Sequence, residues 1–503
     1  MSLFKVVLIN PDSPLRQATG NLKRFVTPVP PLGIACIAAV LEKNGMEVVV
    51  FDQVANSMSN AELAQRVREE SPGLIGISCL TPVMNNVKAL VGQIRSFSRN
   101  IPIVLGNTHA TVFADELLKH GIADIIVSGE GEDSMLEVSL AIKGNKSLEG
   151  IKGISFVRGR LNYHNPPRES ARDLDEFPYP AWHLLNLKDY EKCPLLCLDE
   201  GLTVPIQASR GCFYHCTFCS QDQIFKKFRY RQVDKVINEI EYFYQRFGVS
   251  RFVFIDANFP FSKEYGLKFC DEFIRRGLHK KIKWLTETRV DLVDLELLKR
   301  MKEAGLHLIM YGFEVGNQGI LDSIQKKTTL GHARRAMELT KKTGIYTLGL
   351  FILGMPGETR QTCEETIRFA KELDCDVAKF NIAVPLPGSK FFEDYKEKIK
   401  NKDPETFTSW YDWVPFSGKL LYVPEGMTDY ELKNLQRKAM FEFYLRPRLI
   451  LRHVLNGTIS FRNMWHGANI LISGFFRMAV CSFMNLPVLR NLKNKNSRFE
   501  NYG

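Results

Sequence analysis

The stretch VPIQASRGCFYHCTFC, residues 204–219, joins a strand signal to a run of three cysteines. Val204–Ala208 is a short apolar run broken by a Ser-Arg-Gly turn, the pattern of a buried strand that ends abruptly. Cys212, Cys216 and Cys219 follow, spaced by three and then two residues. Thiolates so spaced can converge on one side of a loop, and soft sulfur ligands select zinc or an iron–sulfur cluster. A structural zinc site needs a fourth ligand to close its tetrahedron. His215 lies inside the loop, where its geometry for that role is poor. Three ligands on a four-iron cluster would instead leave one iron open to a small molecule.

Outward from this loop, strand and helix signals alternate in both directions. Downstream, strands are predicted at Arg251–Ile255, Lys283–Thr288, Leu308–Phe313, Tyr346–Leu353 and Val377–Ala383. With Val204–Ala208 they make six, which fits a partial βα barrel whose chemistry lies at the carboxyl ends of the strands. Upstream, strands are predicted at Lys5–Asn10, Glu47–Phe51, Leu74–Cys79, Ile101–Gly106 and Ile125–Val127, separated by helical patterns. That order implies a doubly wound parallel sheet with its ligand beyond the strand carboxyl ends. The chain is thus read as α/β: a Rossmann-like domain over 1–145, a linker with some strand over 146–200, a (β/α)6 barrel over 201–400 and a basic, helical region over 401–503. No GxGxxG follows the first strand and no GxxxxGK[ST] occurs anywhere, so nicotinamide and P-loop nucleotides lose support.

The other strand ends of the barrel carry motifs in order. Asp256 and Asn258 follow the second strand, Thr286-Glu-Thr-Arg289 closes the third, and Gly312-Phe-Glu314-Val-Gly316 closes the fourth. Gly349 to Gly354, Gly357 and Glu358 mark the fifth, and Pro385-Leu-Pro-Gly388-Ser389 follows the sixth. With the cysteine triplet, this set resembles the radical S-adenosylmethionine (SAM) enzymes over about residues 204–396. The resemblance implies a 4Fe-4S cluster on Cys212, Cys216 and Cys219, with SAM chelated at the open iron. It places Phe218 near the adenine, Glu314 at the ribose or methionine, and Gly354 and Glu358 close to the adenine. Asp256 and Arg289 occupy polar positions of the same site. The cofactor carries the radical chemistry, and the protein supplies position and excludes water. For Glu314 and Arg289, a structural ion pair inside the barrel is the competing role.

The N-terminal domain resembles that of the cobalamin-dependent subclass. Ser78-Cys-Leu-Thr81 matches its third-strand S-x-x-T segment. Gly106-Asn-Thr-His109-Ala-Thr111 matches G-G-x-H-x-[ST], except that Asn107 replaces the second glycine. Ser128-Gly129-Glu130-Gly-Glu132 matches a G-E-G-E segment beside the corrin or its nucleotide tail. The resemblance implies bound cobalamin contacted by these residues, with His109 at a ligand edge. The lower-ligand motif D-x-H-x-x-G is absent after Asp52, as is usual for this radical subclass.

The 503 residues are 45% hydrophobic and 24% charged, ordinary globular values that exclude wholesale disorder. The eleven cysteines, in a chain whose N-terminus has no secretory pattern, read as thiols or metal ligands. The cytoplasm is therefore the expected compartment. From Phe441 to Gly503 nine Lys/Arg face only Glu442 and Glu500, so +7 of the net +11 is there. Residues 469–487 have the i, i+3, i+4, i+7 apolar spacing of an amphipathic helix, with Arg477 on the polar face. Such a helix suits a membrane interface rather than a span, or packs on the barrel. No second cysteine triplet and no RNA-binding domain appear, so a nucleic-acid partner is not expected. The leading expectation is methylation of an unactivated carbon of a lipid-like or tetrapyrrole substrate, with electrons from a flavodoxin- or ferredoxin-like donor. Radical ring formation or rearrangement, as in anaerobic porphyrin cyclases or hopanoid-modifying relatives, is the alternative enzyme, and a non-catalytic corrinoid or cluster sensor the alternative outside enzymes. No catalytic protein residue is assigned.

Overall fold

The computed structural model describes residues 4–12, 29–170, 172–190, 202–402 and 420–455. Cys193, Cys197, Cys481 and the amphipathic segment 469–487 lie outside the described residues. Residues 1–443 form one compact unit and 444–503 another.

The first sheet has seven strands: β1 (Lys5–Asn10), β2 (Glu47–Asp52), β3 (Leu74–Ser78), β4 (Ile103–Gly106), β5 (Ile125–Val127), β6 (Ile154–Arg158) and β7 (Leu161–His164). Their order is β2-β1-β3-β4-β5-β6-β7, parallel from β2 to β5 and antiparallel beyond. Valine and isoleucine runs such as Val6–Ile9 are wholly buried because helices cover both faces. The fourth strand begins at Ile103 rather than at Ile101, since Pro102 has no N–H for the ladder. Two short helices, Thr108–Val112 and Ala114–Lys119, meet at Phe113 between β4 and β5.

The described residues between 146 and 190 do more than link. β6 and β7 extend the first sheet, and the segment 172–190 returns to that domain. There the Tyr190 hydroxyl donates to Asp52 Oδ2 at 2.6 Å, and Asn10 Nδ2 donates to the other oxygen at 2.9 Å. Asp52 is buried at the end of β2 and also accepts from the Val54 N–H, so this carboxylate closes the strand.

The second sheet has six parallel strands: β8 (Thr203–Ile206), β11 (Arg251–Phe254), β12 (Lys283–Thr288), β13 (Leu306–Glu314), β14 (Tyr346–Leu353) and β15 (Val377–Ile382). A two-stranded antiparallel ribbon, β9 (Ser209–Arg210) with β10 (Arg229–Tyr230), follows β8 and brackets the cysteine loop. The order β15-β14-β13-β12-β11-β8 leaves β8 and β15 at the edges, so the barrel is open. Four of its helices start at side-chain caps: Ser262, Asp294, Thr329 and Thr359 each accept from a backbone N–H of the first turn. The helix Asp429–Tyr444 also belongs to the barrel through residue 443. Gln436 Nε2 donates to the Phe380 carbonyl at 2.8 Å, and the Leu432 side chain lies where a Cβ on Gly354 would come within 2.6 Å.

Candidate functional site

The cysteine loop is held from four sides. Gly211, at φ +89°, is needed because a Cβ there would stand 2.6 Å from the Lys227 carbonyl. The Arg289 guanidinium lies 3.5 Å over the Tyr214 ring, between the first two cysteines. Asn258 Nδ2 stands 3.5 Å from Cys212 Sγ. The Thr217 N–H donates to the Ile324 carbonyl at 3.0 Å, and the Phe391 N–H to the Thr217 carbonyl at 2.8 Å. All three thiols are free of disulfides, and Cys219 is exposed. Among the described residues, no three His, Cys, Asp or Glu side chains close on a point that one ion would occupy. The three thiols lie on one loop next to cationic Arg289 and Lys326, and soft sulfur donors of this kind fit an iron–sulfur cluster.

The strand ends of the barrel carry a set of buried charges. Asp256 accepts from the Ala208 N–H at 3.1 Å, from Ser209 Oγ at 2.5 Å and from the Ser209 N–H. It thus fastens the turn that leads into the cysteine loop. Burial pushes its carboxyl up to about 6, against the pull of these donors. Arg289 is paired with Asp291 through two bonds of 2.9 and 3.0 Å and donates to the Lys327 carbonyl. Its cationic face is thus turned to Tyr214. Glu358 accepts from the Gly354 and Met355 N–H groups at 2.6 and 2.8 Å, and burial pushes its carboxyl up to about 7. Phe218 packs against the buried cluster that includes Val315, Ile320, Leu321 and Met355.

Glu314 is the strained member. It adopts φ +62°, a left-handed backbone that a non-glycine residue holds at a cost of about 1–3 kcal/mol. A register shift against β14 accompanies it. Its Oε1 lies 2.6 Å from Lys326 Nζ, both side chains being about a tenth exposed or less. Burial would lower the Lys326 ammonium, but the Glu314 carboxylate more than offsets this and holds it above its ordinary value. A Cβ at Gly312 would strike both groups, at 2.5 and 2.9 Å, which explains the glycine. Lys326 is absent from the sequence-based set. It lies between Gln325 and Lys327, both at positive φ, a turn that sequence does not reveal.

At the first sheet, Ser78 accepts from Asn107 Nδ2 at 3.1 Å, and Asn107 takes φ +82° and caps the helix Thr108–Val112. Asn107 thus stands at the place of the second glycine in a backbone, φ +82° and ψ 179°, that is essentially glycine's own. His109 and Thr81 are buried and hydrogen-bonded to each other at 3.2 Å, with the imidazole tilted against Phe113. Burial drives the His109 imidazole down to about 3, so it is neutral. The ring is packed in the core rather than set at a ligand edge, because the short helix puts its inner face there. Ser78, Gly106, Gly129 and Glu130 do line a cleft of about 440 Å³. The carboxyl ends of β1, β3, β4 and β5 form one wall, and Gln207, Arg210, Phe225 and Ile255 of the barrel form the other. Leu80 and Ile255, each 44% exposed, reach into it from opposite sheets. Thr111 lines a separate recess of about 330 Å³ that shares Gly129 and Glu130.

Two charged residues that sequence reasoning missed join these walls. Arg210 donates to Glu130 at 2.6 Å and to Glu132 at 2.5 Å, and Arg229 donates to the other oxygen of Glu130. Burial would raise the Glu130 carboxyl, but the two guanidiniums hold it below its ordinary range.

Two family models match the chain: a B12 binding domain over residues 19–139 and the radical SAM superfamily over residues 206–370. An uncharacterized methyltransferase of Pyrococcus horikoshii is 30% identical over 460 residues, covering 90% of this chain and 95% of the relative. The anaerobic magnesium-protoporphyrin IX monomethyl ester cyclase of Cereibacter sphaeroides is 31% identical over 444 residues, covering 86% and 71%. Among solved structures, the radical SAM methyltransferase TsrM of Kitasatospora setae, with cobalamin and a 4Fe-4S cluster bound, superposes with a TM-score of 0.66 at 18% identity, covering 86% and 82%. A corrinoid-type domain ahead of an open barrel with a three-cysteine loop defines a class of cobalamin-dependent radical enzymes. The chain belongs to that family, the cobalamin-dependent radical SAM enzymes.

Proposed function

We propose that this enzyme transfers a methyl group to an unactivated carbon of a lipid-like or tetrapyrrole substrate. The observation that carries the reading is the cleft between the two sheets. The carboxyl edge of each parallel sheet forms one wall, so a ligand of the first domain and a ligand of the barrel would meet there. Its volume is that of a small-molecule site, and Leu80, Ile255 and Phe225 make its walls apolar. When bound, the cluster on Cys212, Cys216 and Cys219 supplies the electron that cleaves SAM, and the corrinoid supplies the methyl group.

The chain's own residues orient and enclose. Asp256 fixes the turn before Cys212, and Arg289 braces Tyr214 within the loop. The Glu314–Lys326 pair presents a preset carboxylate and ammonium beside the loop, suited to the polar parts of SAM. Glu358 and Gly354 shape the turn after β14, and Phe218 offers an aromatic edge to the adenine. Ser78, Gly106, Gly129 and Glu130 present small groups and backbone to the corrinoid, with Thr111 in the adjoining recess. Thr81 and His109 support that surface from beneath. A flavodoxin- or ferredoxin-like protein supplies the electron.

The relative that is a porphyrin cyclase favours a second reading, oxidative ring formation at the same site. Product analysis separates the two. The anaerobically loaded enzyme, given SAM, dithionite and candidate substrates, yields both 5′-deoxyadenosine and S-adenosylhomocysteine if it methylates. 5′-Deoxyadenosine without S-adenosylhomocysteine overturns methyl transfer and supports cyclisation.

The helix Pro447–Leu455 supports a peripheral membrane role. Leu445, Leu451 and Leu455 are exposed beside Arg446, Arg448 and Arg452, with no acidic residue from 445 to 455. No described helix is long and apolar enough to cross a membrane. Cosedimentation of the full chain with phosphatidylglycerol vesicles but not phosphatidylcholine vesicles is expected; equal recovery in both supernatants overturns the role.

A further inference from the structure

We infer that Arg210 is a positioning residue that couples corrinoid binding in the first domain to cluster assembly in the barrel. The inference rests on the cofactor reading above and goes beyond it. Three observations carry it. Arg210 bridges Glu130 and Glu132, eighty and seventy-eight residues away, with side-chain exposures of 9%, 12% and 5%. Glu130 lies between Gly129 and Gly131 in the wall of the cleft where the corrinoid would sit. Arg210 itself is separated from Cys212 only by Gly211, whose φ is +89° and where a Cβ would stand 2.6 Å from the Lys227 carbonyl, so there is no room for a side chain.

The bridge is also tied from behind. Arg229, the partner of Arg210 in the β9–β10 ribbon, binds the second oxygen of Glu130 and donates to the Arg172 carbonyl at 2.7 Å. Arg210 Nε donates to Gln207 Oε1 at 3.0 Å, and Phe177 lies 5.3 Å from its guanidinium. Two guanidiniums face two carboxylates, so the charges of this buried set balance. Each Glu130 oxygen is held by a residue of the ribbon that brackets the cysteine loop. A ligand that orders the Gly129–Gly131 segment therefore also restrains Ser209–Cys212, and a cluster that fixes Cys212 restrains Glu130. Linkage makes this effect reciprocal.

The test titrates the full-length protein with hydroxocobalamin, followed by quenching of tryptophan fluorescence under anaerobic conditions. The titration is made on protein with the cluster reconstituted and on protein stripped of iron. Cluster assembly is expected to tighten hydroxocobalamin binding about fivefold or more. Arg210→Lys keeps the charge, but one ammonium cannot serve both carboxylates in the way a guanidinium fork does. It is expected to bind hydroxocobalamin and iron while the ratio falls towards one. Glu132→Gln, which leaves the Glu130 contact, is expected to lower the ratio part of the way. A ratio of one in the unaltered protein overturns the coupling, as does a variant that keeps the full ratio. No hydroxocobalamin binding in either state overturns the cofactor reading, and the coupling with it; equal binding in both overturns the coupling alone.

Discussion

The carboxyl edges of the two parallel sheets face one cleft, yet they are built in opposite ways. At the barrel edge Asp256, Arg289, Glu314 and Glu358 are all buried, and each already has a partner within the protein. At the first sheet the cleft is lined by short groups such as Ser78, Gly106 and Gly129, with Leu80 standing 44% exposed among them. The barrel edge thus presets charge around a strained residue, while the other edge presents shape. Preset charge needs no reorganisation when a ligand arrives, which is how polar sites act most strongly. A broad apolar wall needs only room and backbone close enough to touch. Substitutions at the barrel edge should therefore register in stability and activity together, and those at the first sheet in ligand affinity alone.

The sharpest test of that division is the cysteine loop. Replacing Cys212, Cys216 and Cys219 together by Ala should abolish iron binding and SAM cleavage while leaving hydroxocobalamin bound. Iron at full stoichiometry in that variant would place the cluster elsewhere. Next in size is Lys326→Met, which strands a buried carboxylate at Glu314. Denaturant unfolding should show a loss of about 3–5 kcal/mol. The double variant Lys326→Met with Glu314→Leu should recover most of that stability without recovering SAM cleavage.

Glu358 gives a pH-dependent form of the same contrast. Its folded value, about 7, lies above the ordinary 4.5 through burial. A raised carboxyl contributes stability that is fully present below about 4.5 and is lost as the pH climbs to about 7. Against Glu358→Gln, the unaltered protein should therefore lose roughly 3 kcal/mol across that window. A parallel pair of stability profiles would break the assignment. The smallest effect on stability is expected at Leu80. Leu80→Asp should change it by less than about 0.5 kcal/mol but weaken hydroxocobalamin binding by about tenfold, because a bound ligand would desolvate the new carboxylate against the apolar side chains of the cleft wall. A large stability loss would show that Leu80 is core, against its exposure.

Much of this was legible in the chain. β1, β5, β12 and β14 fall on the ranges expected; for β1 and β5 the reason is that a strand buried on both faces is nearly continuously apolar whatever its neighbours. The cysteine spacing was legible for the same local reason. His109 was not, since its position in a short helix sends the ring into the core beside Phe113. Asp256 and Arg289 were found by their places at strand ends. Their contacts in the structure are with Ser209, and with Asp291 and Tyr214.

The sequence by itself determined the two strand–helix alternations, the three-thiol loop and the family, because each is written in spacing along the chain. Only the tertiary structure decided which charges meet. Arg210 finds Glu130 eighty residues away, and Lys326 finds Glu314 across a left-handed turn. Neither pair has a periodicity to betray it. A buried charge is stable only beside its counter-charge, and which counter-charge lies near is fixed by the folding of the sheets onto one cleft.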